Sequence, residues 1–134
     1  TRGDSIDNAT EKELESYPNL QLNSPHESTQ LIAWSDVSIN FGSSIAYESI
    51  VRKKPVIYPS FLHTNQTVFD HTNCVLQANS IDHVLTYVLN IQNKSVSMPD
   101  VSSRSLFLRS EIFAGQDPFD VPQFYAKMLT NTSN

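Results

Sequence analysis

The sequence predicts an α/β domain, a parallel sheet flanked by helices, and three observations carry that expectation. Short apolar runs suited to buried strands alternate with segments of helical period along the chain, the order that right-handed crossovers turn into a parallel sheet. Residues 36–59, DVSINFGSSIAYESIVRKKPVIYP, hold a complete strand–turn–helix–strand unit. The 134 residues, 39% hydrophobic and 17% charged, suit one modest globular domain with a single core.

Residues 1–8 read as a loop. Thr10 and Glu13 form a candidate capping box for a short helix to about Ser16, which Pro18 stops. Asn19–Asn23 offers a short strand with Leu20 and Leu22 on one face. Ser24 as N-cap, Pro25 in the first turn and Glu27 closing a capping box predict the next helix, whose apolar surface is Leu31, Ile32 and Trp34. A strand over Val37–Phe41 follows. A cap at Ser43 or Ser44 opens a helix to about Arg52, with Ile45, Ala46, Ser49 and Ile50 on one face. Arg52, Lys53 and Lys54 complement the negative end of its dipole. Pro55 ends the helix and Val56–Tyr58 forms a strand. The polar stretch Ser60–Asn73 reads as a loop anchored by its two phenylalanines, and Cys74–Ala78 as another strand.

Ser80 caps a helix in which Ile81, Val84, Leu85, Val88 and Leu89 fit the 3.6-residue period. Residues 93–105 are polar and read as an exposed connection. Leu106–Phe113 and Pro118–Leu129 are expected to be helical, and the final TNTSN disordered. The whole of 1–134 is thus expected to be one domain, with 93–134 a linker and C-terminal helices.

Composition excludes several functions. A formal net charge of -5 with no basic stripe argues against general nucleic-acid binding. The lone Cys74 allows no internal disulfide, and His26, His63, His71 and His83 lack metal-binding spacing. No apolar run approaches the roughly 18 residues needed to span a bilayer. The chain contains no Walker loop, nucleophile elbow or dinucleotide GxGxxG.

In a parallel α/β fold ligands sit at the carboxyl ends of the strands, and Gly42-Ser43-Ser44 falls at one of them. Gly42 permits a sharp turn and close approach of a ligand. Ser43 and Ser44 supply hydroxyls beside the first N–H groups of the helix, a setting that suits a phosphate and equally an ordinary N-cap. Glu48 lies one turn after Ser44, where its carboxylate can accept both hydroxyls of a ribose or simply face solvent. His63, Asn65 and Thr67, in the loop after the next strand, are sugar or phosphate contacts or plain surface residues.

These features together resemble a known group. Asn19 to Leu89 is similar to the C-terminal, donor-binding half of GT-B-fold glycosyltransferases, in particular bacterial capsule and surface-polysaccharide biosynthesis proteins and the glycerophosphotransferases of teichoic acid synthesis. The resemblance rests on Asp36, the strand Val37–Phe41, Ser43-Ser44, Glu48, Lys54-Pro55 and Val56–Tyr58, with STQLIAWSD upstream and YPSFLHTNQTVFD downstream. It implies a Rossmann-like sheet, with Gly42, Ser43 and Ser44 at the donor phosphates and Glu48 at ribose or sugar hydroxyls. The substrate would be a nucleotide-activated sugar or polyol phosphate, with no cofactor and no metal.

A complete half of that fold has a further strand–helix–strand unit before the first strand found here, and a separate acceptor-binding N-terminal domain. The chain is therefore expected to be a fragment, inactive alone because the usual catalytic base comes from the other half. No residue of the chain is assigned a catalytic role. The resemblance further implies a cytoplasmic protein and leaves open whether it works peripherally at the inner face of the membrane, as many surface-polysaccharide enzymes do. An enzyme like UDP-N-acetylglucosamine 2-epimerase and a non-catalytic nucleotide-binding or interaction domain are the alternatives on the same framework.

Overall fold

The computed structural model of the chain describes residues 8–22, 24–62 and 64–112. Within them lie helices α1 (Asn8–Glu15), α2 (Ser28–Trp34), α3 (Ile45–Val51), α4 (Ile81–Gln92) and α5 (Val101–Glu111), and strands β1 (Ser38–Ile39), β2 (Val56–Pro59) and β3 (Leu76–Ala78). Two 3-10 helices, Ser60–Leu62 and Val68–His71, occupy the connection from β2 to β3. The helix expected over Pro118–Leu129, the C-terminal tail and residues 1–7 lie outside the described residues.

The three strands form one parallel sheet in the order β1-β2-β3. Ser38 pairs with Val56, Ile39 with Ile57, and Ile57, Tyr58 and Pro59 with Leu76, Gln77 and Ala78. β2 is central, and all four of its residues are buried. Its VIY run needs no alternation of polarity because both faces are covered. Side chains alternate across it. Val56 and Tyr58 join Ala46 and Ile50 of α3 with Phe69, Cys74 and Val75 on one face. Ile57 joins Ala78 and Val84 of α4 on the other. α2 and α5 pack outside α3. The α/β class with a parallel, helix-covered sheet is thus observed. Among the described helices none is long and apolar enough to cross a membrane.

Local chemistry explains the element ends. The Ser80 hydroxyl accepts the His83 N–H and caps α4, as its sequence predicts. α3 and α4 both close with a lysine in the left-handed region, Lys53 at φ 59° and Lys94 at φ 55°. In each, the next N–H reaches back to a carbonyl of the last turn, Lys54 to Ser49 at 2.9 Å and Ser95 to Asn90 at 2.8 Å. These are Schellman closures without the usual glycine. Lys54 also donates through Nζ to the Ser35 carbonyl at 2.8 Å, tying α3's end to that of α2.

Six expectations need correction. α1 begins at Asn8, so Thr10 lies inside the helix and does not open it in a capping box with Glu13. The strand expected over Val37–Phe41 is only Ser38–Ile39, and Phe41 is exposed. Asn19–Asn23 forms no strand over its described residues: Leu20 is exposed, and among the described residues no neighbouring strand supplies hydrogen bonds. The capping box of Ser24 and Glu27 does not form. Ser24 Oγ accepts the His26 N–H, and Glu27 becomes a cap position without a side-chain bond, so α2 starts later. Of the two loop phenylalanines only Phe69 anchors, at 2% exposure, while Phe61 is exposed. Finally, α5 begins at Val101, within the stretch read as a connection, because Asp100 caps it. The Asp100 carboxylate accepts the Ser103 N–H at 2.7 Å and the Ser103 hydroxyl at 3.0 Å.

The Ser103 N–H, with its hydroxyl second, holds the Asp100 carboxyl below its ordinary 3.8. The folded form therefore binds this proton less readily than the unfolded chain. Its stabilising contribution is complete above about pH 3.8 and is lost as pH falls through the lowered folded-state value. NMR shifts of residues 101–105 should stay helical at neutral pH and weaken only below that point. In Asp100→Asn, which keeps a capping oxygen but no titrating group, the dependence should vanish. A wild-type helix indifferent to acid would contradict this.

Candidate functional site

Three connections emerge at the carboxyl edge of the sheet: Asn40–Ser44 after β1, Ser60–Thr67 after β2, and Asn79–Ser80 after β3. Ser60 Oγ joins the second to the third by donating to the Ala78 carbonyl at 3.2 Å, with Asn79 Oδ1 at 3.3 Å. The first approaches the second at Gly42, where an added Cβ would come within 3.4 Å of Thr67 Cγ2 and whose φ of +96° favours a residue without a side chain.

Asn40 organises the turn. It is 6% exposed, and its Oδ1 accepts the Gly42 N–H at 3.0 Å and the Ser43 N–H at 2.8 Å. Ser43 Oγ accepts the Ile45 N–H at 3.3 Å. Ser44 stands at the cap position of α3 but makes no side-chain cap bond, because its backbone is already helical (φ -56°, ψ -21°). The N–H groups of Ile45, Ala46 and Tyr47 at the start of α3 are thus already satisfied from within, as are those of Gly42 and Ser43 in the turn before it. Both serines are exposed. The groups presented to a ligand are the Ser44 N–H, which has no acceptor among the described residues, and the two hydroxyls.

Glu48 lies one helical turn beyond Ser44. Its Oε1 accepts from Arg52 Nε at 2.6 Å, an i,i+4 pair in which both side chains remain a third or more exposed. Such pairs contribute little to stability. Asn65 is exposed and His63 lies outside the described residues.

Thr67 is held by internal hydrogen bonds. It caps the 3-10 helix Val68–His71, its Oγ1 accepting the Phe69 N–H at 3.2 Å and donating to Tyr58 Oη at 3.0 Å. Asp70 completes the capping box by accepting the Thr67 N–H at 2.6 Å, and also takes a 3.3 Å bond from Tyr58 Oη. Burial pushes the Tyr58 phenol up. The Thr67 hydroxyl opposes that shift, and Asp70 adds to it. Tyr58 therefore stays a neutral hydrogen-bonding group at physiological pH.

The structure thus brings Gly42, Ser43, Ser44 and Thr67 to one edge, with Glu48 a turn away on α3. Sequence reasoning missed Asn40, Tyr58, Asp70 and Gln77. Asn40 had a local signal, since an Asn two residues before a turn glycine commonly folds back as an Asx turn. The capping box Thr67-x-x-Asp70 was legible too. Gln77, which donates from β3 to the Phe69 and Asp70 carbonyls at 3.0 and 2.9 Å, had none. A groove of about 630 Å³ runs between α5 and residues 68–73, but none of the turn residues lines it. Among the described residues no three His, Cys, Asp or Glu side chains group to hold a metal ion.

Fold and site together define an α/β protein with an exposed serine turn at the carboxyl edge of a parallel sheet. No protein-family model, curated protein or solved structure matches the chain.

Proposed function

We propose that the chain is the donor-binding part of a glycosyltransferase of surface or capsular polysaccharide synthesis, a piece of a GT-B fold that holds a nucleotide-activated sugar or polyol phosphate. The observation that carries this reading is the exposed Gly42-Ser43-Ser44 turn at the carboxyl end of β1, between strands running parallel. The donor phosphates would lie against the Ser43 and Ser44 hydroxyls and the Ser44 N–H. Fixed donors there stabilise the negative charge that builds on the departing nucleotide. Glu48 faces the ribose or sugar hydroxyls in this reading, exchanging its solvent-screened pair with Arg52 for hydroxyl donors. The acceptor and the catalytic base belong to a second, acceptor-binding domain. The protein works in the cytoplasm at the inner face of the membrane.

Calorimetric titration of the full-length protein with UDP, CDP, GDP and CMP tests the reading. One nucleotide should bind saturably, and Ser44→Ala and Glu48→Ala should each weaken it by about tenfold, the scale of a lost hydrogen bond to a charged or polar ligand group. A folded protein that binds none of the four would exclude donor binding and favour a non-catalytic interaction domain.

A further inference from the structure

Trp34 is the only tryptophan of the chain, and the fold leaves it outside. Of the three large apolar side chains of α2, Ile32 is buried and Leu31 half-buried, while the Trp34 indole stays 84% exposed. Tryptophan ordinarily contributes through the large area it buries in a core or an interface. This one does neither among the described residues.

The indole lines a cleft of about 350 Å³ together with Gln21, His26, Gln30 and Leu31. Gln30 lies one helical turn before Trp34 on the same face of α2, and Gln21 and His26 belong to the segment that leads into the helix. The side chains of Gln21, His26 and Gln30 and the indole N–H have no hydrogen-bond partner among the described residues. No lysine, arginine or carboxylate among those residues lines the cleft. Its volume falls at the lower end of the range for small-molecule sites, about 300–1,000 Å³.

This lining selects by chemistry. An anion finds no cation in the cleft, and a cation finds no carboxylate. A wholly apolar ligand would cover two amides and an imidazole without giving them partners, which is costly. A pyranose ring satisfies both kinds of surface. Its C–H face lies against the electron-rich face of the indole, and its hydroxyls exchange hydrogen bonds with amides that both donate and accept. We infer that the cleft beside α2 binds an uncharged sugar ring, with Trp34 the stacking platform and Gln21 and Gln30 the hydroxyl contacts. None of Gly42, Ser43, Ser44 and Glu48 lines it, so the inference does not depend on the donor-binding reading.

The emission of the single tryptophan reports on this cleft directly. The chain is titrated with glucose, galactose, N-acetylglucosamine, maltose and cellobiose, and with uracil and adenine as flat uncharged rings that are not sugars. At least one saccharide should shift the emission saturably, with a Kd of about 1 mM as suits a small open site. Gln30→Ala should weaken that binding about fivefold, the scale of one neutral hydrogen bond. Trp34→Ala, followed by calorimetry, should bind none of the sugars while its unfolding midpoint stays near wild type, because an exposed side chain supports little of the core.

Unchanged emission with every saccharide up to about 50 mM overturns the site. Uracil or adenine binding in place of the sugars overturns the ligand class. Emission that shifts with protein concentration alone overturns it too, because a second copy would then cover the indole. Competition by UDP would move the sugar to the Gly42 turn and overturn the assignment to α2. If the chain binds sugar but no nucleotide, the donor reading fails and the α2 site stands.

Discussion

Phe69→Ala should cost about 3–5 kcal/mol of folding stability, the range for truncating a buried phenylalanine. Phe69 is 2% exposed, and its ring lies 5.3 Å from that of Tyr47 and 5.9 Å from those of Tyr58 and Phe107. It joins β2, α3 and α5 in one apolar cluster although it belongs to none of them. Truncation removes contact surface from three aromatic neighbours at once, and rings held at fixed angles cannot collapse into the void. Against a total of about 5–15 kcal/mol for an ordinary domain, this could consume half the stability. Denaturant unfolding followed by circular dichroism measures it. Phe69→Leu, which retains most of the volume, should recover the larger part. A loss below about 1 kcal/mol for the alanine variant would mean that the loop does not dock in solution as described.

Asn40→Asp should leave the fold nearly intact and, with the donor phosphate at this turn as proposed, weaken nucleotide binding about a hundredfold. A carboxylate is the same shape as the amide, and the Gly42 and Ser43 N–H groups would donate to it as they do to Oδ1. Those two donors offset the cost of placing a charge on a side chain only 6% exposed. A phosphate at the Ser43-Ser44 turn would then face a like charge. At about 5 Å and an effective dielectric of about 20, the repulsion is on the order of 3 kcal/mol, a loss of roughly a hundredfold in affinity. Asn40→Ala is the contrast: it leaves two N–H groups without their acceptor and should cost about 1–3 kcal/mol of stability. Calorimetry and thermal melting on both variants separate the effects. If Asn40→Asp binds nucleotide as wild type does, the phosphate does not rest at this turn.

Much of the fold was legible because its signals are local. The VIY run between Pro55 and Ser60 can only be a strand buried on both faces, and it became the central one. The spacing of Ile81, Val84 and Val88 behind Ser80 specified α4 and its cap within a single stretch. Where the local signal was weak, the reading failed. Leu20 and Leu22 alternate like a strand, but a strand needs a partner, and none lies beside them among the described residues. The polar α5 has almost no helical pattern, and its start depends on one carboxylate reaching Ser103.

The candidate site divides the same way. The Gly42-Ser43-Ser44 turn and the spacing to Glu48 were readable, since both follow from neighbours in sequence. The pairing of Glu48 with Arg52 is likewise a local i,i+4 relation.

By itself, then, the sequence determined the α/β class, the succession β1, α3, β2, β3 and α4, and the Gly42-Ser43-Ser44 turn at the carboxyl edge, because hydrophobic period and capping chemistry act over a few residues. Only the tertiary structure decided what those residues do there. Asn40 fills the turn's first two N–H groups, and Thr67 turns inward to join Tyr58 and Asp70. A hydroxyl's partner is set by which strands lie side by side and how closely the loops above them pack. Those distances come from the whole core closing at once.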